Sequence, residues 1–342
     1  MSSHANTKAS GLSDAAVIRL RALGRWPEFE SGRYSVTEEV GRGGMGTVFL
    51  AVDEELGREV AIKIPNAFAS ADLEHRLRSE ARVLARLEHP GIVPIHDAGR
   101  LADGRLFYVM KRVRGRTLRE HLHSVPDLTE RLRIFERICE PVAFAHAQGF
   151  IHRDLKPENV MVGSFGEVMV MDWGVAKAIG GLQSSVVSHS PQSTVAALLP
   201  VETGAGTVVG TVGFMAPEQA RGALADVDQR ADVYGLGAIL FLLLTGRIPD
   251  ADSTGSLRLI KVPRPVAAIC ARALAVEPSA RYQSVTALAD DVARYRDNRK
   301  VDAYRETVVE RVLRFGRTYR TAILLVLAYM VMRAAVAFFA RW

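Results

Sequence analysis

The 342 residues predict an α+β chain of two lobes, a small β-rich lobe followed by a larger helical one, with a further apolar helix near the C-terminal end. Three observations carry that prediction. From Tyr34 to Ile64 apolar and polar residues alternate around clusters of glycine, the pattern of strands joined by tight connections. Beyond about Val113 the apolar spacing becomes helical. Residues 321–340 are apolar with a single charge, Arg333.

The elements follow in order. Residues 1–32 are rich in Ser and Ala and read as a flexible arm, with one short helix over 13–24 capped by Ser13. The stretch YSVTEEVGRGGMGTVFLAVDEELGREVAIKI reads as successive strands. DLEHRLRSEARVLARLE, residues 72–88, has helical spacing at Leu73, Leu77, Val83, Leu84 and Leu87 and stops at His89-Pro90. Strands resume up to Val113. Helices are then predicted over 117–124, 128–148, 216–221, 229–245, 263–275 and 284–298, interrupted by a Ser/Thr/Gly/Val segment over 178–213. There is no internal repeat. The implied layout is an arm (1–32), a main domain (33–297, lobes 33–113 and 114–297), a basic segment (298–320) and an apolar helix (321–340).

Composition narrows the function classes only a little. An apolar content of 48% supports a sizeable core. A net charge of +6 fits nucleic acid, anionic lipid or phosphate ligands and is too diffuse to choose among them. Cys139 and Cys270 lie far apart in apolar, helix-like stretches and read as buried thiols of a reducing compartment. No CxxC or His-rich spacing suggests zinc. The first thirty residues lack the basic start and apolar block of a signal peptide.

The chemistry concentrates in a few short stretches. IHRDLKPENVMV, residues 151–162, sets Asp154 between Arg153 and Lys156 and ends in Asn159. Such a carboxylate is ionised and held, fit to accept a proton or to position a hydroxyl. The lysine can neutralise an anion, and the amide oxygen of Asn159 can hold a hard metal ion. That combination suits phosphoryl transfer, which is mostly positioning and charge neutralisation. GRGGMGTV offers backbone N–H groups to phosphates, although alone it is an ordinary Gly-rich hairpin. Lys63 ends the apolar run VAIK, where a buried ammonium needs an anion; Glu80 on the predicted helix can supply one. In MDWG, Asp172 can bind Mg²⁺, with Trp173 packing beneath and Gly174 permitting a turn. GTVGFMAPEQA and RADVYGLGAIL carry polar residues in apolar surroundings.

Taken together over residues 33–297, the Gly-rich loop 41–48, VAIK 60–63, Glu80, HRDLKPEN 152–159, DWG 172–174, APE 216–218, Asp232 and Arg281 resemble the protein-kinase family, and within it the bacterial Ser/Thr kinases with eukaryotic-type (Hanks-type) catalytic domains. The resemblance implies a two-lobed kinase fold with ATP between the lobes and Mg²⁺, or Mn²⁺, as the metal. It assigns ATP binding to Gly41, Arg42, Gly43, Gly44, Met45, Gly46, Thr47, Val48, Ala61, Lys63, Glu80 and Met110. Lys63 meets the α- and β-phosphates and Glu80 holds Lys63. Asp154 becomes the catalytic base, Lys156 steadies the γ-phosphate, and Asn159 and Asp172 become the metal ligands. Glu218 and Arg281 resemble a buried structural pair, and Asp232 an acid that braces the catalytic loop. The Asp-x-Lys form goes with Ser/Thr rather than Tyr specificity.

Three features depart from the family pattern. Trp173 stands where Phe is usual. Lys111 and Arg112 follow the gatekeeper position Met110, making the hinge unusually basic. The 250–262 stretch is short for the docking helix expected there. A pseudokinase scaffold is the competing reading, but such chains usually lose the lysine or one of the two acids, and all three are present. A small-molecule kinase fits poorly with the long 174–218 segment. That segment resembles an activation loop with Thr203 and Thr207 as autophosphorylation candidates, Thr211 as structural, and Arg153 placed to pair with a phosphate. Expected partners are protein substrates, ATP and membrane lipid, with a homodimer for autophosphorylation and no nucleic acid.

As a helix, Thr321–Ala340 is about 30 Å long, the thickness of the hydrocarbon core. Its Ile, Leu, Val and Phe residues contribute about −3 to −5 kcal/mol to insertion, against about 2.5–3.5 kcal/mol for Arg333, which can snorkel. Residues 294–320 carry nine Lys and Arg residues, and only Arg341 lies beyond the apolar stretch. The positive-inside rule therefore predicts a single-pass tail anchor in the inner (cytoplasmic) membrane, with the main domain in the cytoplasm.

Overall fold

The computed structural model describes residues 27, 29, 32–43, 46–66, 71–125, 127–173, 177–178, 212–222, 227–250 and 262–339. These fall into two compact units. One holds the residues up to Arg114 together with Asp172 and Trp173; the other holds Gly115–Met171 and the residues from Lys177 onward. The 13–24 helix, the 250–262 stretch, Gly44, Met45, Gly174, Thr203, Thr207 and Thr211 lie outside or partly outside the described residues.

The first unit is built on a five-stranded antiparallel sheet. Its strands are β1 (Tyr34–Gly43), β2 (Gly46–Asp53), β3 (Arg58–Ile64), β4 (Ile95–Arg100) and β5 (Leu106–Lys111), in the order β1-β2-β3-β5-β4. The period of two sends Val60, Ile62 and Ile64 of β3 to one face, where they pack with Tyr34, Phe107 and Val109. Ala61 and Lys63 take the opposite face. Gly46 is required where β2 begins: a Cβ there would collide with the Ile64 carbonyl oxygen. Helix α1 (Ala71–Leu84) packs against β4 and β5. It ends short of the predicted Glu88 because its last turn tightens, with Arg86 N–H bonding Val83 O (3.0 Å) and Leu87 N–H bonding Leu84 O (3.2 Å) ahead of Pro90.

The second unit is mainly helical: α2 (Leu118–His121), α3 (Leu128–Ala147), α4 (Pro217–Ala220), α5 (Gln229–Thr245), α6 (Arg264–Ala273), α7 (Val285–Arg296), α8 (Val308–Thr318) and α9 (Arg320–Phe339). Helix α5 is its axis. Asp228 caps it by accepting from Arg230 N–H, Gly246 ends it at φ 70°, and nearly every residue between is buried. At about 1.5–3 kcal/mol per buried Leu, Ile or Phe side chain, this helix anchors the unit. Helices α3, α6 and α7 pack around it. Short strands β6 (Gly115–Thr117), β8 (Val160–Gly163) and β9 (Val168–Val170) form one antiparallel sheet, and β7 (Phe150–Ile151) pairs with β10 (Lys177–Ala178). Only β9, inside the strand-like EVMVM (167–171), is legible in the sequence; the other two- to four-residue strands are too short for a periodicity of two to register, so the sequence reads the rest of this region as largely helical.

Past α7 the chain stays attached. The buried Asp291 carboxylate accepts from Tyr282 Oη (2.7 Å), Asp302 N–H (2.7 Å) and Ala303 N–H (3.0 Å), and Val301 is buried. Helix α9 is long and apolar enough to cross a membrane: residues 321–338 have a mean hydropathy of 2.1, and none of that window is buried.

Candidate active site

In the first unit, the strand register gathers the predicted nucleotide-side residues. Val48 lies opposite Lys63 across β2–β3, and Ala61 lies opposite Met110 across β3–β5. Lys63 Nζ donates to both oxygens of Glu80 (2.8 and 2.9 Å) and to Asp172 Oδ1 (3.1 Å). Burial works against the ammonium, and the Glu80 and Asp172 carboxylates more than offset it, so the Lys63 pKa lies above its ordinary value. Trp173 is fully buried beside Asp172. Asp172 itself has φ 59°, a left-handed conformation that a residue with a Cβ adopts only when its surroundings enforce it. Thr47 is buried and its hydroxyl donates to Asn66 Oδ1 (3.2 Å), Arg42 is exposed and pairs with Glu39, and Gly41 and Gly43 close β1. The basic hinge is partly neutralised, because Arg112 and Arg114 both pair with Glu59 of β3.

In the second unit, the loop between β7 and β8 holds the other predicted group. Lys156 Nζ donates to Asp154 Oδ2 (2.6 Å), and Asn159 Nδ2 donates to the same oxygen (3.1 Å) and to the Asp154 carbonyl (2.8 Å). Both amide protons of Asn159 therefore turn toward Asp154, which leaves its Oδ1 as the acceptor for a cation. The loop is braced from α5. The buried Asp232 accepts from His152 N–H (2.8 Å) and Arg153 N–H (2.8 Å) and lies 2.7 Å from His146 Nε2. Burial alone would raise the Asp232 pKa; the hydrogen bond from His146, the electrostatic interactions with His146 and His152 and the Arg153 N–H hold it below the usual aspartate value. Arg153 has φ 71°, and burial lowers its pKa. Its Nε and Nη2 are buried without a hydrogen-bond partner among the described residues.

Other side chains take positions that sequence reasoning missed. Tyr108 Oη donates to Glu80 Oε1 (2.9 Å); the β3–β5 register sets Tyr108 opposite Lys63 and was the signal that could have found it. His152 Nδ1 accepts from Asp154 N–H (3.2 Å), so the proton sits on Nε2, which donates to Met171 O (3.0 Å). Gln219 Nε2 donates to the carbonyl of Arg153 (2.9 Å) while its Oε1 accepts from Ala216 N–H (3.3 Å), tying the segment after APE to the strained loop. Glu218 and Arg281 form a bidentate buried pair at 2.6 and 2.8 Å.

A five-stranded sheet carrying a buried Lys–Glu–Asp cluster, and a helical unit carrying a braced Asp–Lys–Asn loop, define a protein kinase fold. The protein kinase domain model matches residues 34–302, and the chain belongs to that family. It is similar to serine/threonine-protein kinase PrkC of Bacillus subtilis, 36% identical over 299 residues that cover 82% of this chain and 43% of PrkC. It is similar also to PknD of Protochlamydia amoebophila (34% identical; 79% of this chain, 30% of PknD) and to PknB of Mycobacterium tuberculosis (36%; 81% and 45%). The chain thus spans less than half the length of each of these relatives. Among solved structures it resembles the Mycobacterium tuberculosis PknI kinase domain, with a TM-score of 0.54 and 27% identity, covering 77% of this chain and 95% of that one. These relatives identify it as a bacterial Hanks-type kinase.

Proposed function

We propose that this chain is a Ser/Thr protein kinase that transfers the γ-phosphate of ATP to protein hydroxyls, is switched on by autophosphorylation, and is anchored to a membrane by α9. The observation that carries the catalytic reading is the buried Lys63–Glu80 pair ending in the strained Asp172. A buried ion pair is weak support for stability, since apolar residues of the same size usually do as well. Its presence, with backbone strain at the third member, argues for use in chemistry.

The residues would act as follows. Lys63, positioned by Glu80, meets the α- and β-phosphates. Asp154 orients the substrate hydroxyl and takes its proton as the oxygen bonds to phosphorus. Lys156 balances the charge on the transferring phosphoryl. The Asp172 carboxylate of one unit and the Asn159 amide oxygen of the other would each be a hard oxygen ligand for Mg²⁺, with Mn²⁺ as an alternative. Such an ion, when bound, neutralises the β- and γ-phosphate oxygens. Lys156 beside Asp154 supports Ser/Thr specificity. The Nε and Nη2 of Arg153, buried without a hydrogen-bond partner among the described residues, support phosphate-dependent activation, with Thr203 and Thr207 as candidate donors of that phosphate.

The test uses purified protein, Mg-ATP and a Ser/Thr-rich acceptor protein. The Lys63→Met chain is expected to lose transfer, and Asp154→Asn to lose about 10²–10⁴-fold in rate with ATP binding retained. Undiminished transfer in either overturns the site assignment. Mass spectrometry of wild-type and Asp154→Asn protein checks the switch: equal phosphate at Thr203 and Thr207 in both means another kinase supplies it. Carbonate extraction checks the anchor, which is wrong if the full chain is released.

A further inference from the structure

Helix α8 is the part of the chain that the kinase reading leaves unused. It begins with a capping box: Thr307 Oγ1 accepts from Glu310 N–H (3.3 Å) and Glu310 Oε2 accepts from Thr307 N–H (2.9 Å). At about 100° per residue, Val308, Val309, Val312, Gly316 and the adjoining Tyr319 fall within an arc of about 100°. Glu310 and Arg314 lie on the opposite side, and that side is the one held by the rest of the unit. Glu310 accepts from Tyr304 Oη (2.8 Å) and lies 4.0 Å from Arg264 at the start of α6, while Arg314 makes a bidentate pair with Glu306 (2.8 and 3.0 Å). The apolar arc is turned away. Val308, Val309 and Val312 are 74%, 68% and 64% exposed, an uncovered stripe that a soluble helix would ordinarily bury.

Connectivity says what covers it. Only Tyr319 separates α8 from α9, so one peptide step joins the stripe to the apolar helix of spanning length. If α9 crosses a bilayer, the end of α8 sits at the headgroups, and all eleven of its residues, about 16 Å, lie close to the surface. The exposed Arg311 flanks the stripe. An apolar stripe edged by arginine matches the boundary between anionic headgroups and acyl chains.

We infer that α8 is an interfacial helix that lies on an anionic membrane surface with Val308, Val309 and Val312 in the lipid boundary. It holds the catalytic unit against the membrane through Glu310 and Arg314 on its other side. This inference rests on the reading of α9 as an anchor. The occupant is lipid rather than a second copy of the chain because the stripe runs directly into the apolar helix.

The test is site-directed spin labelling of the full chain in vesicles of phosphatidylcholine, with and without about one third phosphatidylglycerol. Cys139 and Cys270 are buried, so labels go to introduced cysteines. Val309→Cys and Val312→Cys are expected to show oxygen-to-nickel-chelate accessibility several-fold above Phe165→Cys, a fully exposed reference, in the anionic vesicles, and less in phosphatidylcholine alone. Val326→Cys reports the anchor and is expected in lipid in both. Nickel-accessible labels at 309 and 312 with Val326→Cys in lipid would overturn the inference and leave the anchor standing. An aqueous Val326→Cys would overturn both. Dipolar broadening between labels at 309 that persists without anionic lipid would assign the stripe to a second copy and overturn the lipid assignment.

Discussion

Two buried ion pairs, one in each unit, are built to opposite ends. Arg281 in the helical unit is saturated: Nη1 and Nη2 bind Glu218, and Nη1, Nη2 and Nε also bind the carbonyls of Arg230, Val276 and Ala275, so all five N–H donors are used. The Tyr234 ring lies 5.0 Å from its guanidinium carbon. Lys63 in the sheet unit uses its three donors on Glu80 and Asp172, and Asp172 is 36% exposed and conformationally strained. A saturated pair can only hold structure together. A pair that ends in a strained, part-exposed carboxylate keeps one member within reach of solvent.

That difference makes separable predictions. The largest effect is on stability. Arg281→Leu leaves the Glu218 carboxylate buried and uncompensated, so unfolding should become easier by about 3–5 kcal/mol. Calorimetry should show a midpoint lower by roughly ten degrees. Replacing Glu218 by Gln in that background should recover part of the loss; a single variant as stable as wild type would break the contrast. Asp172→Asn should do the reverse, lowering kcat/KM about 10²–10³-fold while the midpoint moves by no more than about 2 °C. Steady-state kinetics beside calorimetry on one preparation reads both numbers.

Much of this was legible in the sequence for a simple reason. The Asp154 loop, the Gly-rich loop and the DWG stretch are built from residues adjacent in the chain, so spacing alone carries them. Partners brought by strand register or tertiary packing left weaker traces. Tyr108 meets Glu80 only because β5 pairs with β3, and Gln219 meets Arg153 only because the chain folds back 66 residues later. The capture of Asp302 and Ala303 by Asp291 joins residues whose types suggest nothing on their own. The amphipathic α8 was hidden in plain charge counting: its arginines read as a basic run, although Arg314 is engaged by Glu306.

The Glu218 carboxylate and the Lys63 ammonium depend on pH with opposite sign. For Glu218, burial raises and Arg281 lowers the pKa, and the net is below the ordinary glutamate value. Its contribution is therefore present above about pH 4.5 and lost as the pH falls through the lower, folded-state value. The Lys63 pKa is raised, so its contribution is full below about pH 10.5 and lost as the pH rises beyond it. Denaturant titrations should show Glu218→Gln flattening the acid limb and the double replacement Lys63→Met with Glu80→Gln flattening the alkaline limb; a swapped assignment would refute the pairing scheme. A smaller effect is expected at Gln219. Its replacement by Leu removes one hydrogen bond to the Arg153 carbonyl, about 1 kcal/mol. The turnover number should fall by up to about tenfold with the KM for ATP unchanged, and a rise in that KM alone would mean Gln219 acts elsewhere.

The contrast between the pairs is tested most directly by single-turnover phosphoryl transfer from Mg-ATP, comparing Asp172→Asn and Arg281→Leu after each rate is divided by the folded fraction measured in the same buffer. Normalised in that way, the Arg281→Leu rate should return to within a few-fold of wild type, while Asp172→Asn should stay about 10²–10³-fold below it. A normalised Asp172→Asn rate equal to wild type would contradict the assignment of the Lys63 cluster to catalysis.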